Sequence, residues 1–370
     1  MKKTKSLNDR EGLIDFGSSI IAIVMGLLVG FIILLVSNPS QAFGGFAMII
    51  QGGFTDGAAG WGQVIYFAIP IIMTGLSVGF AFKTGLFNIG AAGQFTVGAF
   101  VAVYIGIKWT GLGSVQWIVA ILMALIAGAI WGMVPGLLKA YLNVNEVISS
   151  IMMNYIGMSL VNLLIKKSIH DPLRNQTLPV AKTAVVPKGG LDKVFPGSDV
   201  NIGIFIVIFF VLLAYIILSK TAFGFELKAC GLNKEASRYA GISEKRNIVL
   251  SMMIAGGFSG VGGALLYLSG SGKFLQLVDV ITPEGFTGIS VALLGLSNPI
   301  GIFFAGIFVA YIMVGGFNMQ LFDFAPEVID IIISVIIYCG ALSLLFRTFI
   351  NKREMKKLAK AEATRKKEVE

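Results

Sequence analysis

The sequence predicts an all-α polytopic membrane protein of about ten transmembrane helices, some of them broken or half-length, with both termini in the cytoplasm. Three observations carry that expectation. Hydrophobic residues make up 56% of the 370-residue chain and charged residues only 13%, against ~25% charged in a soluble domain. Nine apolar runs have the length needed to cross a hydrocarbon layer, ~20 residues for ~30 Å. Forty-six glycines are scattered without period, which excludes collagen and suits membrane helices, where Gly is enriched. Soluble enzymes and disordered, fibrous or disulfide-stapled chains are excluded by the same figures.

The elements follow in order. A short tail, residues 1–17, precedes the first run, Ser18–Ser37. That run exceeds a signal-peptide core, and no small-residue cleavage site follows in Asn38–Phe43, so it reads as an uncleaved span. Runs at Trp61–Phe82, Leu86–Gly106, Val115–Pro135 and Glu146–Ile165 come next, then a loop at 166–200 expected outside the cell. Asn201–Leu218 leads into a basic loop at 220–247, expected in the cytoplasm, and Ile248–Ser269 follows it. Gly285–Ser297 is too short to cross alone and reads as a broken or half helix. Pro299–Asn318 and Glu327–Phe346 complete a transmembrane domain over 18–346, and a basic cytoplasmic tail occupies 347–370. That tail is expected to be a peripheral helix held near anionic lipids by its lysines.

Charge sets the orientation. With the N-terminus inside and all ten runs crossing, the inner face holds four cations of the first tail, Lys83, Lys139, six from Lys220 to Arg246 and nine from Arg347 onward. The outer face holds Lys108, six from Lys166 to Lys193, and Lys273, a bias of 21 to 8. Such asymmetry orients membrane proteins, so the excess of +9 reads as topology and not as nucleic-acid binding. Cys230 and Cys339 lie in unlike settings and do not combine with the single His170 into a disulfide or metal cluster.

Polar residues at membrane depth are the candidate functional groups. Gln63, Pro70, Thr74 and Ser77 fall in a ~60° arc of one helix, either as hydrogen-bonding glue between helices or as pathway lining. Asn88 and Gln94 flank a glycine-rich break after Phe82. Irregular backbone survives in a bilayer only inside protein or beside a wet cavity, and discontinuous helices point to transport sites. Glu146, Ser150, Asn154 and Gly157 share a ~80° face. Asn145 is a plausible helix cap, and Glu146 is either a first-turn acid favoured by the helix dipole or a pathway group. Asn154, near mid-membrane, carries an amide too costly to leave unpaired there. Phe286 begins the short run and offers an aromatic face. Gly26/Gly30, Gly75/Gly79, Gly128/Gly132 and Gly256/Gly260 are close-packing pairs. Glu327 and Asp330 read as first-turn acids of the last run. Gly270–Lys273 fails the phosphate-loop pattern at both ends, so the chain has no nucleotide site of its own.

In the 220–247 loop, Asn233 caps a short helix from Lys234 to Ala240 and Gly241 fits the position after its end. Its length, its two caps and its mixed surface, with Glu235, Ala236 and Arg238, make a docking element for another protein, the alternative being an ordinary connector.

Gly85-Leu86-Phe87-Asn88-Ile89-Gly90-Ala91-Ala92-Gly93-Gln94, Asn143–Ile148 with Met153-Asn154-Tyr155, and Val291–Gly295 leading into Asn298-Pro299-Ile300-Gly301 resemble the ABC importer permeases of the branched-chain amino acid, ribose and nucleoside class. Among these the likeness is greatest to nucleoside (guanosine-type) permeases of Gram-positive bacteria, and it covers roughly 61–346. Glu235-Ala236-Ser237 and Gly241 echo the loop through which such permeases contact their ATPases, with Ser237 in place of the third Ala. The resemblance implies a multi-pass protein of the bacterial plasma membrane that is not an enzyme. It binds no cofactor itself, ATP being used by a partner ATP-binding subunit. A second homologous permease and an extracellular substrate-binding lipoprotein are the other implied partners, beside membrane lipids. The amides, hydroxyls and aromatics of the expected pathway suit nucleosides ahead of ribose-like sugars or branched-chain amino acids. A stand-alone secondary transporter would require buried ionisable pairs or an inverted repeat, and neither is evident.

Overall fold

A computed structural model describes residues 2–342 and Thr348. The tail at 347–370, Thr348 apart, lies outside the described residues, as do 343–346 of the last expected run. The helices, in order, are α1 (Lys2–Ser37), α2 (Ala42–Gln51), α3 (Gly57–Lys83), α4 (Ala91–Lys108), α5 (Gln116–Leu142), α6 (Glu146–Ser168), α7 (Leu191–Val194) and α8 (Gly203–Lys220). They continue with α9 (Ala222–Leu232), α10 (Lys234–Tyr239), α11 (Glu244–Tyr267), α12 (Glu284–Leu294), α13 (Pro299–Asn318) and α14 (Pro326–Ala341). A small antiparallel hairpin, β1 (His170–Asp171) with β2 (Gln176–Thr177), is the sheet among the described residues. Among the described residues, eight helices are long and apolar enough to cross a membrane.

The chain divides into two compact units. In the smaller, Met1–Ala47 with Met319–Glu370, α14 lies along the Gly26/Gly30 face of α1. A Cβ added at Gly26 would stand 3.0 Å from the Ile336 backbone, and one at Gly30 3.1 Å from Ile332. Helix runs unbroken from Lys2 through the expected tail 1–17 into the first span. No proline interrupts the segment, and a formed helix extends more cheaply than it nucleates.

The larger unit, Met48–Asn318, is built on α3 and α11. Most of α3 and most of α11 are buried, whereas α5, α6 and α8 keep apolar faces exposed, as lipid contact requires. The two glycine pairs of α5 and α11 face each other. A Cβ at Gly128 would strike the Gly256 carbonyl, one at Gly256 the Gly128 carbonyl, and one at Gly260 the Ala124 carbonyl. Gly98 of α4 abuts Gly260, and Gly263 abuts Phe95 and Ala99. Three backbones thus meet with almost no side chain between them, as in membrane helix packing driven by van der Waals contact.

Several expected boundaries shift. The third run begins as helix only at Ala91, and Leu86–Gly90 is irregular because Gly85 is left-handed at φ 73° and Asn88 turns its amide onto neighbouring side chains. The fourth run passes Pro135 and ends at Leu142, since a membrane helix can absorb a proline when its neighbours satisfy the freed groups. Its end is made by Asn143, left-handed at φ 52°, whose N–H bonds back to Leu138. The 220–247 loop is mostly helical, and α2 and α9 were not expected.

The larger unit has two ends. At the α10 end, Gly231 meets the Lys83–Gly85 backbone, Lys139 pairs with Glu146 at 2.9 Å, and Lys245 sits 5.1 Å over the Tyr141 ring. At the hairpin end, Gln276 bridges to Gln176, Ala181 bonds to Gly106 at 2.9 Å, and Val186 to Leu268 at 2.8 Å. The short run reaches only one of these ends, and the extended segment before it supplies the rest of the path. After α11 the chain pairs with the hairpin through Leu275 and Leu277, descends extended to Pro283, and finishes as α12. At ~1.5 Å per residue that helix spans only about 16 Å. Lys83 Nζ lies 3.5 Å from the Leu296 carbonyl just beyond its C-terminus, where a cation is favoured.

Candidate functional site

The α3–α4 break is held by a closed set of polar side chains. Asn88 Nδ2 donates to Ser77 Oγ at 3.0 Å and to Gln94 Oε1 at 2.9 Å, and Gln94 Nε2 returns a bond to Asn88 Oδ1 at 3.1 Å. Asn154 of α6 grips the next stretch, accepting from the Gly93 N–H at 2.8 Å and donating to the Ile89 carbonyl at 3.0 Å. Thr84 shares a 2.7 Å hydrogen bond with Ser251, and Ser259 donates to the Ala91 carbonyl at 2.6 Å. All seven side chains are buried. At ~1.5 Å per residue, Ser259 lies about 22 Å along α11 from Glu244 and about 12 Å from Tyr267, so α4 begins at membrane depth.

The half helix α12 starts against this point. A Cβ at Gly285 would collide with the Ala92 backbone, and Thr282 and Thr96 share a 3.2 Å hydrogen bond. Two helix N-termini, each carrying about half a positive charge, therefore meet near mid-membrane. Half-helix N-termini in this position face solute groups in transporters.

The sequence-predicted residues divide among different places. Ser77, Asn88, Gln94 and Asn154 are brought together at the break, with the Ser150 hydroxyl buried beside Gly90. Thr74 is sealed under α12, where Gly288 leaves room for its hydroxyl, which bonds to Pro70 O and Ile71 O of its own helix. Gln63 sits at the hairpin end, accepting from the Asp199 N–H at 3.4 Å and lining a cavity of about 600 Å³ with Asp56, Phe67, Phe317 and Asn318. Glu146 is engaged by Lys139, while Asn145 caps α6 through Val147 N at 2.8 Å. Phe286 is 43% exposed on α12.

A second cavity, of about 200 Å³, opens beside the start of α12, and Thr96, Tyr267, Thr282 and Glu284 are among its lining. Sequence reasoning passed over these four, together with Ser251 and Ser259. The signal for Glu284 was its charge beside Pro283 at the edge of a run too short to span.

At the α10 end, Asn233 Oδ1 accepts from the Ala236 N–H at 3.0 Å, so the cap is formed as its sequence indicates. Gly241 is left-handed at φ 78°. Ser237 faces inward and donates to the Asn233 carbonyl at 2.9 Å. Glu235, Ala236 and Arg238 point outward, and Leu232 and Tyr239 are almost fully exposed.

The family model described as the branched-chain amino acid transport system permease component matches residues 60–341, the stretch that contains both the break and α12. The chain belongs to this family. This permease is 37% identical over 338 residues to the guanosine ABC transporter permease protein NupP of Bacillus subtilis, covering 91% of this chain and 96% of that one. It is 33% identical over 354 residues to the nucleoside ABC transporter permease protein NupB of Lactococcus lactis, covering 94% and 96%. To the glucose ABC transporter permease protein TsgB13 of Haloferax volcanii it is 29% identical over 348 residues, covering 90% and 89%. No solved structure matches the chain. With its apolar spans, the permease is a multi-pass integral protein of the bacterial plasma membrane.

Proposed function

We propose that this permease carries nucleosides into the cell as one membrane subunit of an ABC importer. The observation that carries the reading is the end-to-end similarity to permeases named for guanosine and for nucleosides. The break, at which two helix N-termini meet at membrane depth, supports a transport pathway through this region. The work comes from ATP hydrolysed by a partner ATP-binding subunit that docks on α10. A second homologous permease completes the membrane pathway, and an extracellular binding lipoprotein delivers solute. In this arrangement the α10 end faces the cytoplasm and the hairpin end faces out, in keeping with the 21 to 8 cation bias.

Within that scheme, Gln63 and Phe286 contact solute on its way, and Asn88, Gln94 and Asn154 hold the break at which the two helix N-termini meet. Sugar import is the second reading, favoured by the similarity to a glucose permease. Radiolabelled uptake in a deletion strain complemented with this permease separates the two. Excess guanosine or adenosine is expected to abolish uptake of labelled guanosine, with ribose, glucose and leucine without effect. Uptake blocked by the sugars and indifferent to nucleosides would replace the first reading with the second.

A further inference from the structure

We propose that the cavity beside the start of α12 is a solute subsite, in which the Glu284 carboxylate accepts hydrogen bonds from two adjacent donors on a neutral solute. The proposal deepens the nucleoside reading and rests on it.

Four observations meet there. The cavity encloses about 200 Å³, and Glu284, Tyr267, Gln276, Asn162 and the Thr96/Thr282 pair are the polar members of a lining otherwise made of apolar side chains. It lies against the point where α12 abuts α4, next to the Thr96–Thr282 hydroxyl pair. Among the described residues the ion pairs are Lys139–Glu146 and Lys234–Glu244, and Glu284 is in neither. No Lys or Arg lines the cavity. A first-turn acid is favoured by the dipole of its own helix, which accounts for a carboxylate at this position. It does not account for Glu284 lining a cavity, and a carboxylate within a membrane domain is costly enough to mark function by default.

Size and charge then select the ligand. Small-molecule sites usually enclose ~300–1,000 Å³, so this cavity takes one end of a solute rather than the whole. An ionised carboxylate is acceptor-only and has two oxygens to offer. It matches a pair of neighbouring donors, and a nucleoside has two such pairs: the 2′,3′-diol of ribose and the N1–H/N2–H edge of guanine. An amino acid would bring a carboxylate of its own, for which the lining holds no cation.

The test uses the complete importer in proteoliposomes, loaded with guanosine, 2′-deoxyguanosine or inosine at saturation. A binding-protein partner sets capture, so the subsite is read in the maximal uptake rate and not in half-saturation. In Glu284→Gln the rate for guanosine is expected to fall about tenfold, the equivalent of one charged hydrogen bond, at unchanged half-saturation. If the ribose end is held, 2′-deoxyguanosine is slow in the wild type and indifferent to the substitution. If the base end is held, inosine, lacking the N2 amine, behaves that way instead. Tyr267→Phe, which removes one hydroxyl from the same lining at equal volume, guards against a misfolded first variant and should lower the same rate. Wild-type rates for guanosine in both variants, with the complex recovered intact, overturn the subsite. A wild type that ignores nucleosides and carries ribose overturns the substrate reading alone. The comparison is then made with ribose and 2-deoxyribose, where an unaltered ribose rate in Glu284→Gln overturns the subsite too.

Discussion

Asn154 holds the break from both sides, since its amide reaches Gly93 N–H on one flank and the Ile89 carbonyl on the other. Replacing it with Leu keeps the branched shape and strands the Gly93 N–H and the Ile89 carbonyl, each worth about 1–3 kcal/mol where buried. Ser77→Ala removes a single acceptor from Asn88, whose amide keeps its bond to Gln94, at a cost of about 1 kcal/mol. Thermal unfolding of the purified complex should therefore rank Asn154→Leu far below Ser77→Ala, with the larger loss of uptake in the same variant. Equal midpoints would mean that other contacts hold the break. All of these polar residues were legible in the sequence as costly groups at membrane depth, but their common role was not. Helical periodicity gives the face a side chain occupies, whereas the partner on that face comes from a segment 60 or more residues away, as Asn154 does for Gly93. Glu146 illustrates the same limit: its helix cap is local and readable, and its pairing with Lys139 follows from the tight α5–α6 turn.

At the scale of elements, α10 was legible because capping is local chemistry, and α9 and α2 were missed because neither has the length of a span. Gly241 lies at φ 78° with open space where a Cβ would stand, so any cost of substitution is conformational and not steric. A β-branched residue is strained in that region by about 1–2 kcal/mol, while Asn tolerates it. If α10 receives the stroke of the ATPase, Gly241→Val should abolish stimulation of ATP hydrolysis by solute-loaded binding protein, and Gly241→Asn should preserve it. Stimulation retained in the Val variant would place coupling elsewhere, with Lys139–Asn143 as the next candidate. A route inward is visible in the packing. Gly231, at the end of α9, leaves no room for a side chain against Lys83 and Gly85, and Gly85 opens the loop that Asn88 and Asn154 hold. If α9–α10 moves, this backbone contact is the path by which the mid-membrane break would feel it.

At the scale of the whole molecule, hydropathy located the spans, and the charge count anticipated that Lys83, Lys139 and the 220–247 segment share one end. The glycine pairs were legible as close-packing sites, but which pairs meet was not, because a small-residue face fits any other small-residue face. The seam in which Gly98, Gly128 and Gly260 meet has a consequence in time. A ribosome adding ~5–20 residues per second reaches Gly260 about 7–26 s after Gly128. Through that interval α4 and α5 are already made, while the surface they will share with α11 has no occupant from their own chain. Biosynthesis must lend one. A photo-crosslinker at Ala124, which ends wholly buried, should capture other membrane proteins in chains arrested before Glu244 and only α11 of its own chain once that helix has inserted. The same capture pattern at both lengths would show that the seam needs no guardian. Where the capture changes with length as expected, import capacity is set during translation by whatever holds two unfinished helices apart from the wrong neighbours until the third arrives.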